Sequence, residues 1–124
     1  MGGKASRVKG HNFERKMAEN FRAIGYKTAA RLLEYQEGFG VDLVGTRPYL
    51  VQCKSEKKWP NVIKAIKRIE EFITKKMPTE NLPNIPESIF TEWKNQIPVV
   101  AVKVDHEGEY AVLRMKDFLR MAKR

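Results

Sequence analysis

The stretch from Gly40 to Lys54, GVDLVGTRPYLVQCK, constrains the fold more than any other part of the chain. Two short apolar runs flank Gly45-Thr46-Arg47-Pro48, residues that supply turn chemistry. The segment therefore reads as a β-hairpin with its turn centred on Arg47. In that register Asp42 faces Gln52, Leu43 faces Val51 and Val44 faces Leu50. Side chains alternate between the two faces of a strand. Val41, Leu43, Val51 and Cys53 then share one apolar face. Asp42, Gln52 and Lys54 share the other, with Val44 and Leu50 nearer the turn. A loop one residue shorter or longer would mix the two sets and push polar groups into the core. Directly opposed residues have Cβ atoms roughly 4.5–5.5 Å apart, so Asp42 and Gln52 are expected to present two oxygens to one point. Lys54 stands one step further along the same face.

The rest of the chain alternates helix and strand, which predicts an α/β fold. Phe13, Met17, Phe21 and Ile24 recur at helical spacing, giving a helix over 12–24 with Asn12 as N-cap and Gly25 as its stop. A short strand is expected over 26–31, and an irregular or edge segment over 32–39. Trp59-Pro60-Asn61 announces a second helix, whose stripe is Val62, Ile66, Ile69 and Ile73. Three prolines between Met77 and Pro86 predict an extended loop, and 88–94 a short helix. Strands are expected over 97–104 and 110–113 around a turn at 105–108, and a terminal helix over 116–123. The 124 residues suit one compact domain, 1–124, with a basic N-terminal arm at 1–10 and no linker or internal repeat.

Charge narrows the partner. Lys and Arg number 24 against 15 Asp and Glu, a formal net of +9. That excess on a small domain suits a polyanion, nucleic acid first and an acidic membrane surface second. The basic residues are spread over head, middle and tail, as a broad backbone-binding surface requires. Lys9, Lys57 and Lys58 stand among them as candidate DNA contacts. No run of about 18 apolar residues is present, which excludes a transmembrane helix. MGGKASRVKG lacks the apolar stretch of a secretion signal. A single cysteine, Cys53, cannot form an internal disulfide, so the expected compartment is a reducing cytoplasm. His11 and His106 are isolated from any zinc-spaced cluster, Ser6 and Ser55 have no visible base, and no P-loop or dinucleotide fingerprint calls for a small-molecule cofactor.

Asp42, Gln52 and Lys54 on one face suit a hard divalent cation. Mg²⁺ takes oxygen ligands and keeps several waters, so a carboxylate, an amide oxygen, a backbone carbonyl and a substrate phosphate make a workable set. Lys54 is then placed to steer the attacking water or to stabilise charge on the phosphate. Each residue alone fits an ordinary solvated strand position; their grouping between V-D-L-V and L-V-Q-C favours chemistry. Cys53 faces the core, which disfavours a catalytic thiol and leaves its backbone carbonyl as the useful atom.

An Asp, about ten residues, then Gln-x-Lys at the end of a hairpin resembles the signature of the PD-(D/E)XK nuclease superfamily, here as G-V-D-L-V and L-V-Q-C-K, with no Pro before the Asp. The order N-F-E-R, G-Y…R, G-V-D-L-V and a late I-P-V-V-A-V-K-V resembles the archaeal-type Holliday junction resolvases, also found in phages. The likeness covers residues 8–73 and 97–113. It implies a restriction-endonuclease-like fold, a central mixed β-sheet flanked by helices. It implies a Mg²⁺-dependent endonuclease, with Mn²⁺ able to substitute, that resolves four-way DNA junctions as a homodimer in recombination and repair. It implies an acidic residue on the first helix completing the metal site, which Glu14 matches, so that Glu14, Asp42, Gln52 and the Cys53 carbonyl hold the metal and Lys54 joins them in catalysis. Arg15 and Arg31 match basic positions that such enzymes use on DNA phosphate, for which the planar guanidinium is suited. Two departures stand out. Gln52 occupies the usual Glu position, as in type IV restriction endonucleases, whose V-Q-C-K strand is similar. Residues 74–96 form an insertion relative to the smallest resolvases. The alternatives are a related nuclease cutting modified, flapped or linear duplex, and a DNA-binding module of the same fold without chemistry, against which the intact Glu14, Asp42, Gln52 and Lys54 argue.

Overall fold

The computed structural model describes residues 4–32, 41–75 and 96–124. The expected loop at 77–86, the helix at 88–94 and nearly all of the insertion lie outside the described residues, as does most of the 32–39 segment.

Helix α1 runs from Lys4 to Ala23. It begins well before Asn12, so residues 4–10 are helix and not a separate arm. The segment K-A-S-R-V-K-G contains no proline to stop the helix extending backwards. Phe13 and Ala18 are buried on its inner face, with Met17 and Phe21 beside them. Its end is a Schellman turn. Tyr26 N–H donates to the Phe21 carbonyl at 3.0 Å and Gly25 N–H to that of Arg22 at 3.2 Å. Gly25 takes the left-handed φ of 115° that this turn requires. The Phe21 and Tyr26 rings close the motif edge to face at 5.3 Å. Ile24 lies beyond the helix and is exposed, so it leaves the stripe. The exit also consumes most of the expected strand at 26–31. Only β1, Ala30–Arg31, pairs, running antiparallel to β2, Leu43–Val44.

The expected hairpin is kept in its facing but not in its ladder. Gly45, at φ 75°, lies where any Cβ would stand 2.4 Å from the Thr28 carbonyl oxygen, so the turn into β3 needs glycine. Strand β3, Tyr49–Glu56, packs beside β2. Leu43 and Val51 share a core cluster with Cys53, as the alternation predicts. Val41 does not join them. It packs on the opposite side with Leu32, Leu50 and Ile69. The chain turns over at Asp42 because that residue's carbonyl accepts the Leu32 N–H at 2.8 Å, drawing it toward β1.

Helix α2, Val62–Lys75, is capped by Asn61, whose Oδ1 accepts the Lys64 N–H at 2.9 Å. It supplies the crossover that a parallel strand pair demands. Strand β4, Ile97–Val104, runs parallel to β3, with Gln52 beside Val100 and Lys54 beside Val102. Strand β5, Gly108–Val112, returns antiparallel, and α3, Met115–Ala122, ends the chain. The mixed sheet has the order β3-β4-β5. One face packs on α1 through Val51 and Ala101, and the other on α2 through Val100, Val102, Ala65 and Ile66. The architecture is mixed α/β and restriction-endonuclease-like. Among the described residues it leaves β3 at the edge of the three-stranded sheet.

Candidate active site

Asp42 sits at that edge. Its backbone N–H donates to the Val51 carbonyl at 2.8 Å, and its Oδ2 accepts the Cys53 N–H at 2.7 Å. With its own carbonyl turned to Leu32, the side chain does for β3 what a strand carbonyl would have done. Asp42 therefore brackets Gln52, bonding the residue before it and the residue after it. Asp42 thus stands opposite Gln52 along the backbone, as the register predicts, reached by a bulged route.

Glu14 comes from α1 and is buried, 8% exposed. Its Oε1 lies 3.2 Å from Arg31 Nε, both side chains largely enclosed. A buried carboxylate needs such a partner. Arg31, expected on DNA phosphate, thus has its guanidinium turned to Glu14. The Cys53 thiol lies near both carboxylates. Burial first, then Asp42 and Glu14, push its pKa well above the ordinary thiol value, so it stays protonated. The thiol is inert and free, and packs against the α1 side of the core.

Gln52 projects to the other face of β3. It is 6% exposed, and its Oε1 is buried with no hydrogen-bond partner among the described residues. An unsatisfied buried amide oxygen costs about 1–3 kcal/mol, and an acceptor of this kind suits a cation. Lys54, half-buried, follows two residues on along the same face. Among the described residues no group of three or more His, Cys, Asp and Glu side chains is disposed to hold a metal. The set here is two carboxylates, a neutral amide and a backbone carbonyl, all hard oxygen donors. It fits a divalent cation by its chemistry and by the orphaned Gln52 oxygen.

The other candidates lie further out. Arg15 is exposed and donates to Asn12 Oδ1 at 3.0 Å. Lys9 pairs with Asp105 at 2.8 Å. Lys57 and Lys58 are exposed just past the end of β3. Sequence reasoning used Trp59 only as a helix-start signal and Tyr110 only as an apolar strand residue, and did not pair them; their exposed rings meet edge to face at 5.4 Å. The signal was present in K-K-W-P, two lysines and an aromatic directly after the hairpin strand. Among the described residues no helix is long and apolar enough to cross a membrane.

A model of the restriction endonuclease family Mrr_cat matches residues 5–80, more than half of the chain. The matched span runs from α1 through α2 and takes in Glu14, Asp42, Gln52 and Lys54. No curated protein and no solved structure matches. With the mixed sheet, the flanking helices and the matched span in agreement, the chain belongs to the Mrr_cat family of restriction endonucleases, within the PD-(D/E)XK nuclease superfamily.

Proposed function

We propose that this protein is a metal-dependent endodeoxyribonuclease whose centre is Glu14, Asp42, Gln52, Lys54 and the Cys53 carbonyl. The observation that carries the reading is Asp42 locked to the N–H of Cys53, the residue after Gln52, whose own buried oxygen lacks a partner among the described residues. Glu14, Asp42, Gln52 and the Cys53 carbonyl would hold Mg²⁺, or Mn²⁺ in its place. When bound, the cation polarises a phosphate oxygen and makes water a better nucleophile. The chain's own groups do the rest. The Cys53 N–H fixes the Asp42 carboxylate. Arg31 offsets the charge of buried Glu14. The Lys54 ammonium donates to the phosphate or to the attacking water and compensates the charge that develops. Arg15, Lys9, Lys57 and Lys58 draw in the DNA backbone.

The finer reading is resolution of four-way junctions by paired cuts, in recombination and repair, by a homodimer in the cytoplasm of a prokaryotic or phage-infected cell. The order of motifs along the chain and the net charge of +9 support it. A second reading, cutting of linear or modified duplex, is favoured by the restriction endonuclease family match and by Gln52. One experiment separates them. Four-way junction, flap, and plain and methylated linear duplex are incubated at matched concentration with Mg²⁺, Mn²⁺ or chelator. Junction resolution predicts symmetric paired nicks in the junction and little cutting elsewhere. Preferential cutting of duplex selects the second reading. Undiminished cleavage in excess chelator overturns the metal mechanism.

A further inference from the structure

Past the end of β3 the structure builds a feature that the nuclease chemistry does not use. Lys57, Lys58 and Trp59 follow the strand, and Val104, Asp105, Glu107 and Tyr110 come from the end of β4 and the return into β5. Together they line a surface cavity of about 420 Å³. Trp59 is 52% exposed and Tyr110 47%. Large aromatic rings are highly buried on average, so two exposed together are unusual. Both are held in place. Trp59 precedes Pro60, which restricts its backbone to extended conformations. Tyr110 is fixed by the β4–β5 register opposite Val102, and its hydroxyl donates to the Glu107 carbonyl at 2.8 Å. The rings meet edge to face at an interplanar angle of 75°, a contact that itself covers one face of one ring. Lys57 and Lys58 are exposed and line the cavity together with Glu107 and with Asp105, which is already paired with Lys9. A phosphate backbone is attracted to the two lysines.

We propose that Trp59 and Tyr110 form a stacking platform for an unpaired nucleobase, with the adjoining phosphates on Lys57 and Lys58. The proposal rests on the DNA-endonuclease reading and narrows its substrate to DNA carrying an unstacked base near the cut. Aromatic side chains in a basic groove hold single strands by stacking, with little regard to sequence. In B-form duplex the bases are stacked on one another and offer no free face. Trp59 lies five residues beyond Lys54, at most about 17 Å of extended chain. At about 3.4 Å per stacked nucleotide, the platform reads a base within about five nucleotides of the scissile phosphate. Branch points, flaps and gaps supply such a base next to a duplex; uninterrupted duplex does not.

The full chain carrying Trp93→Phe leaves Trp59 as the one tryptophan, since the sequence has two. It is titrated without metal against a thymidine homopolymer, a four-way junction and a blunt duplex. Single-stranded and junction DNA should quench Trp59 emission, and the blunt duplex should not. With Trp93 restored, Trp59→Ala should weaken homopolymer binding about 5- to 150-fold, the range for loss of one base stack. It should leave blunt-duplex affinity within about twofold. Trp59→Phe, which keeps a ring, should restore most of the loss, and Tyr110→Phe should bind the homopolymer nearly as the native chain does. Homopolymer binding that neither quenches Trp59 nor responds to Trp59→Ala overturns the platform and leaves the nuclease reading intact. Failure to bind DNA of any form overturns both.

Discussion

At the scale of single residues, the site depends on one substitution of type. In the proposed centre Gln52 carries no charge where a carboxylate would carry one, so its hold on a cation would rest on a dipole and on the cost of a buried oxygen with no partner among the described residues. Gln52→Glu should therefore lower the Mg²⁺ concentration for half-maximal cleavage, and Gln52→Ala should raise it by about tenfold or more. Three identical metal titrations would remove Gln52 from the metal site. Asp42→Asn should abolish cleavage and leave DNA binding intact, because it removes a ligand charge but keeps an oxygen for the Cys53 N–H. Loss of DNA binding in that variant would count against a purely catalytic role. Cys53 gives a pH test. Its folded pKa is raised, so on alkalinisation the unfolded thiol ionises first, near about 8.5. The stability this contributes is fully present below that pH and is lost as pH rises toward the folded value. Urea midpoints should fall between about pH 8 and 10 in the native chain and fall less in Cys53→Ala; parallel curves would refute it. The placing of Asp42 opposite Gln52 along the backbone was legible from the hairpin register. The flip of Val41 was not, because the bond that causes it comes from Leu32, a neighbour that no local pattern reveals.

At the scale of elements, the legible ones were those whose signals are local. Helix α2 has its Asn61 cap and apolar stripe, and β4 a run of buried β-branched residues; both formed where the pattern placed them. The start of α1 and the shrinking of the first strand were not legible. Nothing in 4–11 forbids or demands helix, and the Schellman exit uses residues that also read as strand. Helix α3 shows how an element is attached by a contact remote in sequence. Glu70 on α2 accepts two hydrogen bonds from the Arg114 guanidinium just before α3. The pair is partly exposed, so its worth is small. The hydrogen bond from Arg114 is the chief reason the Glu70 pKa is lowered. A depressed carboxylate contributes stability that is present above its unfolded pKa, about 4.3, and lost as pH falls through the lower folded value. Arg114→Ala should thus speed amide exchange in 115–122 at pH 7 while leaving β4 protected. The difference from the native chain should shrink toward pH 3. Equal exchange at both pH values would mean that the pair does not anchor α3.

At the scale of the whole molecule, two cuts related by symmetry need two active centres, and one domain of this size supplies one. A C₂ pair would place its axis on that of a junction. The sequence offers two apolar candidates for the interface, α2 around Ile69, Phe72 and Ile73 and the late strand around Tyr110 and Val112; Ile69 is fully buried in its own core and Ile73 packs against that core. A further exposed apolar face is on α3. Met115, Phe118 and Leu119 lie at helical spacing and are 67%, 49% and 59% exposed. The helix is flanked by Lys116 and Arg120, and Arg120 is engaged by buried Asp117. Two copies with a net charge of +9 each repel one another, and salt screens that repulsion. The same salt weakens phosphate contacts. A pair joined through α3 should therefore tighten with added salt while DNA affinity falls. Light scattering at micromolar concentration should give twice the chain mass, more completely at about 0.5 M than at about 0.05 M salt. Leu119→Glu places a charge on the stripe without touching the core, and should give a folded single chain that nicks one strand of a junction. A native protein that stays single at every salt concentration, on and off DNA, would remove the paired-cut reading and leave the duplex-cutting one.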